Sequence, residues 1–371
     1  MRRRILCVPV LCLVLTGACS KPAAENPFDY PFIRPLHLKR EANKPYSDYK
    51  AFYVLTEDFE PLVDTAAEMD SASDLLKFAS ALSSTYKVPW THFVDVNTLA
   101  AVKTSSDLDL KQRSQNLVDA LKQMVEAGDD CELHLHGPLN RALLDQLRSQ
   151  EKQHLKGSEE AVERYRQRRS FFYQSFYREG YRELVASLTY GKRFLEDSLY
   201  GGAQQVLAFR PGGWDHGSTS ADTFLYFQAL EDSGLIANSG LSTGDFGGKN
   251  WRVGNDPGRN VATVAVGDKK VFEVSPTAGP GGYVNPVLPN DLAKLAASVK
   301  NEMAVIVSVY HLGALQPADR GSSKTGRPES EIQSERDALE EHFKTVAKLA
   351  EQKILYPITL RGLLAIISEQ Q

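Results

Sequence analysis

Ala304-Val-Ile-Val-Ser-Val-Tyr310 is an apolar run with the length of one β-strand, and it decides how the rest of the chain is interpreted. Because nearly every position is hydrophobic, we expect a strand that is buried on both faces. Such strands belong to parallel sheets that are covered by connecting helices on both sides. The run therefore predicts an α/β protein with parallel strands.

The order of strand and then helix is repeated along most of the chain. We expect strands over 51–56, 88–96, 131–136, 206–209, 304–310 and 354–360, and helices over 70–85, 107–126, 221–232 and 330–352. The runs 261–266 and 271–274 are expected to pair as a hairpin. Repeated β-then-α order favours a (β/α) barrel-like domain, with two or three helices inserted near 139–200.

The first residues have the features of an export signal. Met1-Arg-Arg-Arg4 is basic, residues 5–15 are apolar, and Thr16-Gly-Ala-Cys19 has the small residues of a cleavage site. The apolar region is shorter than the roughly 20 residues that span a bilayer. Because it ends in Cys, the segment resembles a bacterial lipoprotein signal. That resemblance implies a lipid anchor on Cys19 and an outer-membrane location facing the periplasm; ordinary secretory cleavage is the alternative.

Three regions follow from this pattern. Residues 1–18 are the expected lipoprotein signal peptide, 19–48 a proline-rich tether, and 49–371 one catalytic domain. The alternative for the tether is an arm that docks on the domain through its aromatic residues. A formal net charge of −4 makes nucleic acid a poor partner.

Polar side chains follow two of the predicted strands at the point where each strand ends. Asp58 and Glu60 are two residues apart, as are His134 and His136, so each pair lies on one face of an extended chain. The carboxyl ends of parallel strands meet at one rim of a barrel. Two His and one carboxylate match the protein ligands of catalytic zinc and leave a second carboxylate to accept a proton. Solvated loop carboxylates and a hydrogen-bonded strand end are the alternatives.

Several segments occur in an order that characterises a known family. They are Leu55-Thr-Glu-Asp-Phe-Glu60, Trp90-Thr-His-Phe-Val94, Glu132-Leu-His-Leu-His-Gly-Pro138, Phe209-Arg-Pro-Gly-Gly-Trp214, Val307-Ser-Val-Tyr-His-Leu312 and Tyr356-Pro-Ile-Thr-Leu360. With them the chain resembles the polysaccharide deacetylases, metal-dependent carbohydrate esterases with a distorted (β/α) barrel. The resemblance covers residues 50–365.

The resemblance implies a role for each polar residue. Asp58 is the implied base, Arg210 holds its carboxylate, and His311 is the acid that protonates the departing sugar nitrogen. The implied ligands of a divalent metal, expected to be zinc, are Glu60, His134 and His136. The implied substrate is an acetylated polysaccharide carrying N-acetyl groups, and the residues implied to line its groove are Trp214, Tyr310 and Leu312.

The chain departs from the family pattern at three places. His134 and His136 are closer together than the two histidines of many members, and Glu60 stands where Asp is commoner. The Asp-containing motif that orients the acid histidine has Glu273 as its nearest candidate. Two other hypotheses stay open: an amidohydrolase-type barrel, which also uses H-x-H, and a non-catalytic glycan-binding lipoprotein that keeps the fold.

Overall fold

The computed structural model describes residues 29–60, 66–103, 107–135, 181–212, 220–241, 257–277, 289–299, 302–316 and 328–371. The strands are β1 (Ile33–Pro35), β2 (Ala51–Phe59), β3 (Trp90–Asp95), β4 (Asp130–Leu135), β5 (Ala208–Pro211), β6 (Ala237–Asn238), β7 (Val261–Val266), β8 (Lys269–Val274), β9 (Ala304–Tyr310) and β10 (Leu355–Pro357). The helices are α1 (Ala66–Tyr86), α2 (Val96–Lys103), α3 (Leu108–Glu126), α4 (Tyr181–Leu199), α5 (Ser220–Asp232), α6 (Pro289–Ser298), α7 (Glu329–Glu351) and α8 (Leu360–Glu369), with a 3-10 turn at Leu312–Leu315.

The strands form one sheet that is parallel through its centre. Its order is β1, β7, β8, β6, β5, β4, β3, β2 and β10, and β9 also pairs with β2. The apolar run at 304–310 is β9, which lies parallel to β2 from Ala51 to Glu57. The antiparallel pairs are β7 with β8, the predicted hairpin, and β1 with β7. The central strands therefore end at a common edge.

The two sides of this sheet approach each other. After β8, the N–H of Thr277 donates to the carbonyl of Val307 in β9 at 2.9 Å, and the N–H of Val307 donates back to Thr277 Oγ1 at 2.9 Å. Asn260 adds a side-chain bond to the carbonyl of Val305 at 2.9 Å. These contacts link the two sides of a distorted (β/α) barrel that the described strand pairs do not close, and the predicted fold class is confirmed. Of the predicted helical insertion, α4 is described and 139–180 lies outside the described residues.

Alternate side chains of each strand enter two separate apolar layers. The layer between strands and helices contains Leu55, Trp90 and Phe343. The layer inside the sheet contains Phe52 and Phe93. It also takes in one face of α8, namely Leu360, Leu363, Leu364 and Ile367. Each such buried side chain contributes on the order of 2 kcal/mol, which holds the strands in register.

Part of the predicted tether packs on the domain. Strand β1 extends the sheet beside β7, and Tyr30, Ile33, Leu38 and Tyr46 are buried. Over residues 29–48 the chain is therefore a docked arm and not a free linker, because its apolar residues have a surface to cover. The signal segment and Cys19 lie outside the described residues. Among the helices that the structure describes, none has both the length and the apolar character needed to cross a bilayer.

Candidate active site

Polar side chains occupy the carboxyl end of the barrel interior. The register places Asp95 of β3 beside His134 of β4, and His134 beside Arg210 of β5. Asp58 of β2 follows inward-facing Phe52 and Val54 by strand alternation, and all four polar residues are buried. Because parallel strands end together, Asp58 and Arg210 meet here although they are 152 positions apart in sequence.

Arg210 is the centre of the site's hydrogen bonding. Its Nη1 donates to Asp58 Oδ1 at 2.8 Å and its Nη2 to Thr56 Oγ1 at 2.9 Å. On the other side, Nε donates to the carbonyl of Ser239 at 2.9 Å and Nη2 to Ser239 Oγ at 2.8 Å. Burial lowers the pKa of Arg210, an effect that the charge of Asp58 opposes. A guanidinium remains charged even so, and it therefore fixes one oxygen of Asp58.

Glu60 and His134 form a second pair next to Asp58. His134 Nε2 lies 2.6 Å from Glu60 Oε1, and its Nδ1 lies 2.8 Å from the carbonyl of Arg210. Since a carbonyl only accepts, Nδ1 carries a proton and Nε2 is the atom that faces the site. Burial lowers the pKa of His134, but the carboxylates of Asp58 and Glu60 outweigh this and raise it. Proton and cation thus compete for the same position between Glu60 and His134.

His311 enters the site from the end of β9. Its Nε2 lies 3.9 Å from Asp58 Oδ2, the oxygen that Arg210 Nη1 does not bind. Its Nδ1 donates to the carbonyl of Tyr310 at 3.0 Å, so the ring is held with Nε2 toward Asp58. The backbone turns at Gly313, where an added Cβ would lie 3.3 Å from the carbonyl oxygen of Glu60. This close approach brings the His311 turn against the segment that carries Glu60.

The donor atoms suit a divalent cation. Asp58, Glu60 and His311 each offer an oxygen or nitrogen within 4.8 Å of the others, and His134 adjoins Glu60. Carboxylate oxygen and imidazole nitrogen are the ligands that zinc and similar ions take. The grouping differs from the expected trio, because Asp58 and His311 join Glu60 and because His136 lies outside the described residues.

Solved structures with some likeness to this chain are known. One is a putative polysaccharide deacetylase from Mycobacterium smegmatis, with 12% identity, a TM-score of 0.46 and coverage of 91% of this chain and 96% of that chain. Two are mutants of BA3943, a CE4 family pseudoenzyme, one of them with restored enzymatic activity. Their TM-scores are 0.37 and 0.36 and their identities 13% and 12%, over 89% of this chain and 71% of theirs.

No protein-family model matches the sequence, and neither does any curated protein. The structural likenesses are too distant to carry an assignment of activity.

Two of the residues expected to line a substrate groove are placed elsewhere. Tyr310 is 3% exposed and its ring packs against Trp90, in the layer between strands and helices. Leu312 is fully buried in the same layer. Since His311 faces the barrel interior, its two neighbours turn outward, and their role in lining a groove stays a prediction. Trp214 lies outside the described residues.

Some residues of the site were not found from the sequence. Ser239 lies in no quoted motif, and Thr56 lies in one that gave it no role. Both accept hydrogen bonds from Arg210 because of which strand lies next to which. Asp95 could have been found from the sequence. It lies near the end of the predicted strand 88–96, and it is two residues from Phe93 and so on the same face. Its charge acts on His134 across the adjacent strand.

Proposed function

We propose that this chain is a metal-dependent hydrolase of the polysaccharide deacetylase type, which removes acetyl groups, above all N-acetyl groups, from an acetylated polysaccharide. One observation carries the proposal: Asp58 has one oxygen fixed by the buried Arg210 while its other oxygen faces His311. Beside them stands the Glu60–His134 pair. Such a set combines a base, an acid and metal-binding atoms in a few ångströms.

The proposed metal ligands are Glu60 and His134, with His136 as a third ligand from the same strand end. Zinc is the expected ion because the donor set mixes carboxylate and imidazole. When bound, the ion supplies Lewis acidity toward an acetyl carbonyl and lowers the pKa of a water molecule. The proton now shared by Glu60 and His134 would be released on binding.

The proton transfers are assigned to Asp58 and His311. Asp58 accepts a proton from water through Oδ2, and the hydrogen bond from Arg210 to Oδ1 holds the carboxylate in its orientation. His311 donates a proton from Nε2 to the departing sugar nitrogen, as a general acid. The two groups lie on adjacent strands, β2 and the end of β9, so one substrate bond can reach both.

The test is acetate release by purified protein from a panel of N-acetylated and O-acetylated glycans, with zinc, cobalt, manganese or chelator added. We expect metal-dependent release by wild type and a loss of at least about a hundredfold in D58N, the usual range for a general base. D58N should keep its metal and its fold, with a lower unfolding midpoint because the buried Arg210 loses its counter-ion. D74N is the matched control, since Asp74 is an exposed aspartate of α1. Full activity of D58N, or binding of glycans without release under every metal, would overturn the proposal.

We also propose the lipid anchor and envelope location that the signal segment implies. The support is the sequence pattern that ends at Cys19. In a bacterial host, the full chain should fractionate with the outer membrane and incorporate labelled fatty acid. C19S should lose the label, and a labelled C19S protein would refute the anchor.

A further inference from the structure

Glu273 is a buried carboxylate behind the candidate active site. On β8 its Oε2 accepts from Asn238 Nδ2 at 2.6 Å, and its Oε1 accepts from Ser275 Oγ at 2.5 Å. Oε1 also accepts from the backbone N–H groups of Gly240 at 3.2 Å and Leu241 at 3.0 Å. Four donors point at an acceptor, which is the pattern of an ionised carboxylate.

The turn that Glu273 holds is the turn that binds Arg210. Ser239 lies between Asn238 and Gly240, and both its carbonyl and its hydroxyl accept from the Arg210 guanidinium. Gly240 packs so tightly on Pro211, the residue after Arg210, that an added Cβ would lie 2.4 Å from Pro211 Cδ. A shift of this turn therefore moves the guanidinium.

Charge connects Glu273 to Arg210 as well. Arg210 is a fully buried cation, and among the influences on it the charges of Asp58 and Glu273 both favour its charged form. Glu273 acts electrostatically on Arg210 of β5. Its partner Asn238 also accepts from Tyr226 Oη of α5. Across β7 the register partner of Glu273 is the neutral Ala262. Glu273 is thus a second counter-ion of Arg210, opposite Asp58.

We propose that Glu273 is a positioning residue that acts through the Asn238–Leu241 turn and Arg210 to hold Asp58 in its working orientation. The role rests on the function proposed above, because Asp58 is the proposed base. It replaces the expectation that Glu273 orients His311: its hydrogen-bond partners are the turn and Ser275, not the histidine. The proposal requires the ionised carboxylate, since protonation would put a fifth donor among four.

This ionisation falls in the neutral range. Burial raises the pKa of Glu273 to about 7, against the opposing effect of its hydrogen bonds with Ser275, Asn238, Leu241 and Gly240. As pH rises through 7, Glu273 loses the proton that competes with its four donors. Arg210 then gains Glu273 as a second counter-ion. Activity should therefore increase over that interval in a way that depends on Glu273.

The first experiment compares E273Q with E132Q. Glu132 is a matched control because it too is a buried carboxylate that accepts from two backbone N–H groups, those of Leu207 and Ala208, but at the amino end of β5. We expect E273Q to lower kcat for acetate release by roughly tenfold to a hundredfold, with KM nearly unchanged. This is the usual effect of removing a residue that orients a functional side chain without contacting the substrate. The rise of kcat near pH 7 should disappear in E273Q and persist in E132Q.

The second experiment does not depend on activity. The Nε–H proton of Arg210 is followed by NMR and identified by its loss in R210K. In wild type it should shift with a midpoint near pH 7, and in E273Q it should lack that step. One outcome is that wild type releases no acetate while the Arg210 Nε–H signal still shifts near pH 7 in a way that E273Q abolishes. In that case the proposed function fails and the link from Glu273 to Arg210 stands.

A milder variant covers the case in which E273Q does not fold. S275A removes one donor to the carboxylate, so the pKa of Glu273 should rise and the Arg210 step should move to higher pH. An Arg210 signal that titrates identically in wild type and S275A, or identically in wild type and E273Q, would overturn the proposal.

Discussion

Arg210 Nη1 donates to Asp58 Oδ1 at 2.8 Å in the interior of the barrel, and neither residue is appreciably exposed. The pair joins β5 to β2, two strands that β3 and β4 separate. Because the guanidinium also binds Thr56 and Ser239, it links three strand ends with one side chain. The geometry of the proposed base is therefore a property of the whole barrel edge.

Replacing this arginine by lysine tests the role of its planar fork. R210K keeps a positive charge but can no longer reach Asp58, Thr56 and Ser239 at once. We expect acetate release to fall by about a hundredfold or more and the unfolding free energy to fall by about 1–3 kcal/mol, since buried acceptors lose donors. Urea unfolding and initial rates measure the two effects. Wild-type activity in R210K would show that Asp58 needs only a nearby charge.

His134 and His311 can be told apart by metal content. If His134 is a ligand and His311 the acid, H134A should lose its metal on dialysis, whereas H311A should keep about one equivalent and lose turnover. Elemental analysis of the dialysed variants gives the answer. Loss of metal from H311A would favour the alternative donor set of Asp58, Glu60 and His311.

His92 is a buried imidazole between two carboxylates on the helix-facing side of the sheet. It binds Glu57 through Nδ1, and its Nε2 lies 3.8 Å from Asp129 Oδ2. Burial alone would lower the pKa of His92, but Glu57 and Asp129 raise it to about 9. A raised folded pKa means that its stabilisation is complete below about pH 6.5 and is lost as pH rises through 9.

H92Q should therefore be destabilising at pH 6, by about 3–5 kcal/mol, because two buried carboxylates lose their cation. At pH 10 the difference between H92Q and wild type should be much smaller. Urea unfolding at the two pH values measures it. An equal loss at both pH values would mean that His92 is neutral in the folded protein.

His342 on α7 should behave in the opposite sense. Tyr53 Oη lies 2.6 Å from its Nε2, and burial lowers the pKa of His342 to about 4. A depressed folded pKa means that stability is complete above about pH 6.5 and is lost as pH falls toward 4. The loss amounts to about 3 kcal/mol, from roughly 1.4 kcal/mol for each pH unit.

The effect of His342 is isolated by measuring how far the unfolding free energy falls at acid pH in wild type and in H342Q. Glutamine keeps an acceptor for Tyr53 but does not titrate, so the difference in unfolding free energy between pH 7 and pH 4.5 should shrink in H342Q. An equal decrease in unfolding free energy in both proteins would assign the acid sensitivity to other groups, such as the carboxylates.

Periodicity identified most elements of this fold because its strands are buried and its helices are amphipathic. The apolar run of β9 and the hairpin of β7 and β8 lie within a residue or two of their predicted bounds. Strand alternation also indicates that the adjacent residues Tyr310 and His311 face opposite sides of the sheet, as they do in the structure. The hydrogen bonds from Arg210 to Ser239 could not be predicted. Ser239 follows β6, a strand of two residues that is too short to show a period.

Strand β2 also sets a demand on the order of folding. It pairs with β3 about 35 residues later and with β9 about 250 residues later. The edge of this apolar strand that pairs with β9 therefore stays unpaired until that distant segment arrives. Pairing across such a sequence separation is slow. An exposed apolar edge is a template for intermolecular strand addition. The proposed base, Asp58, thus lies on a strand that is exposed to aggregation before folding is complete.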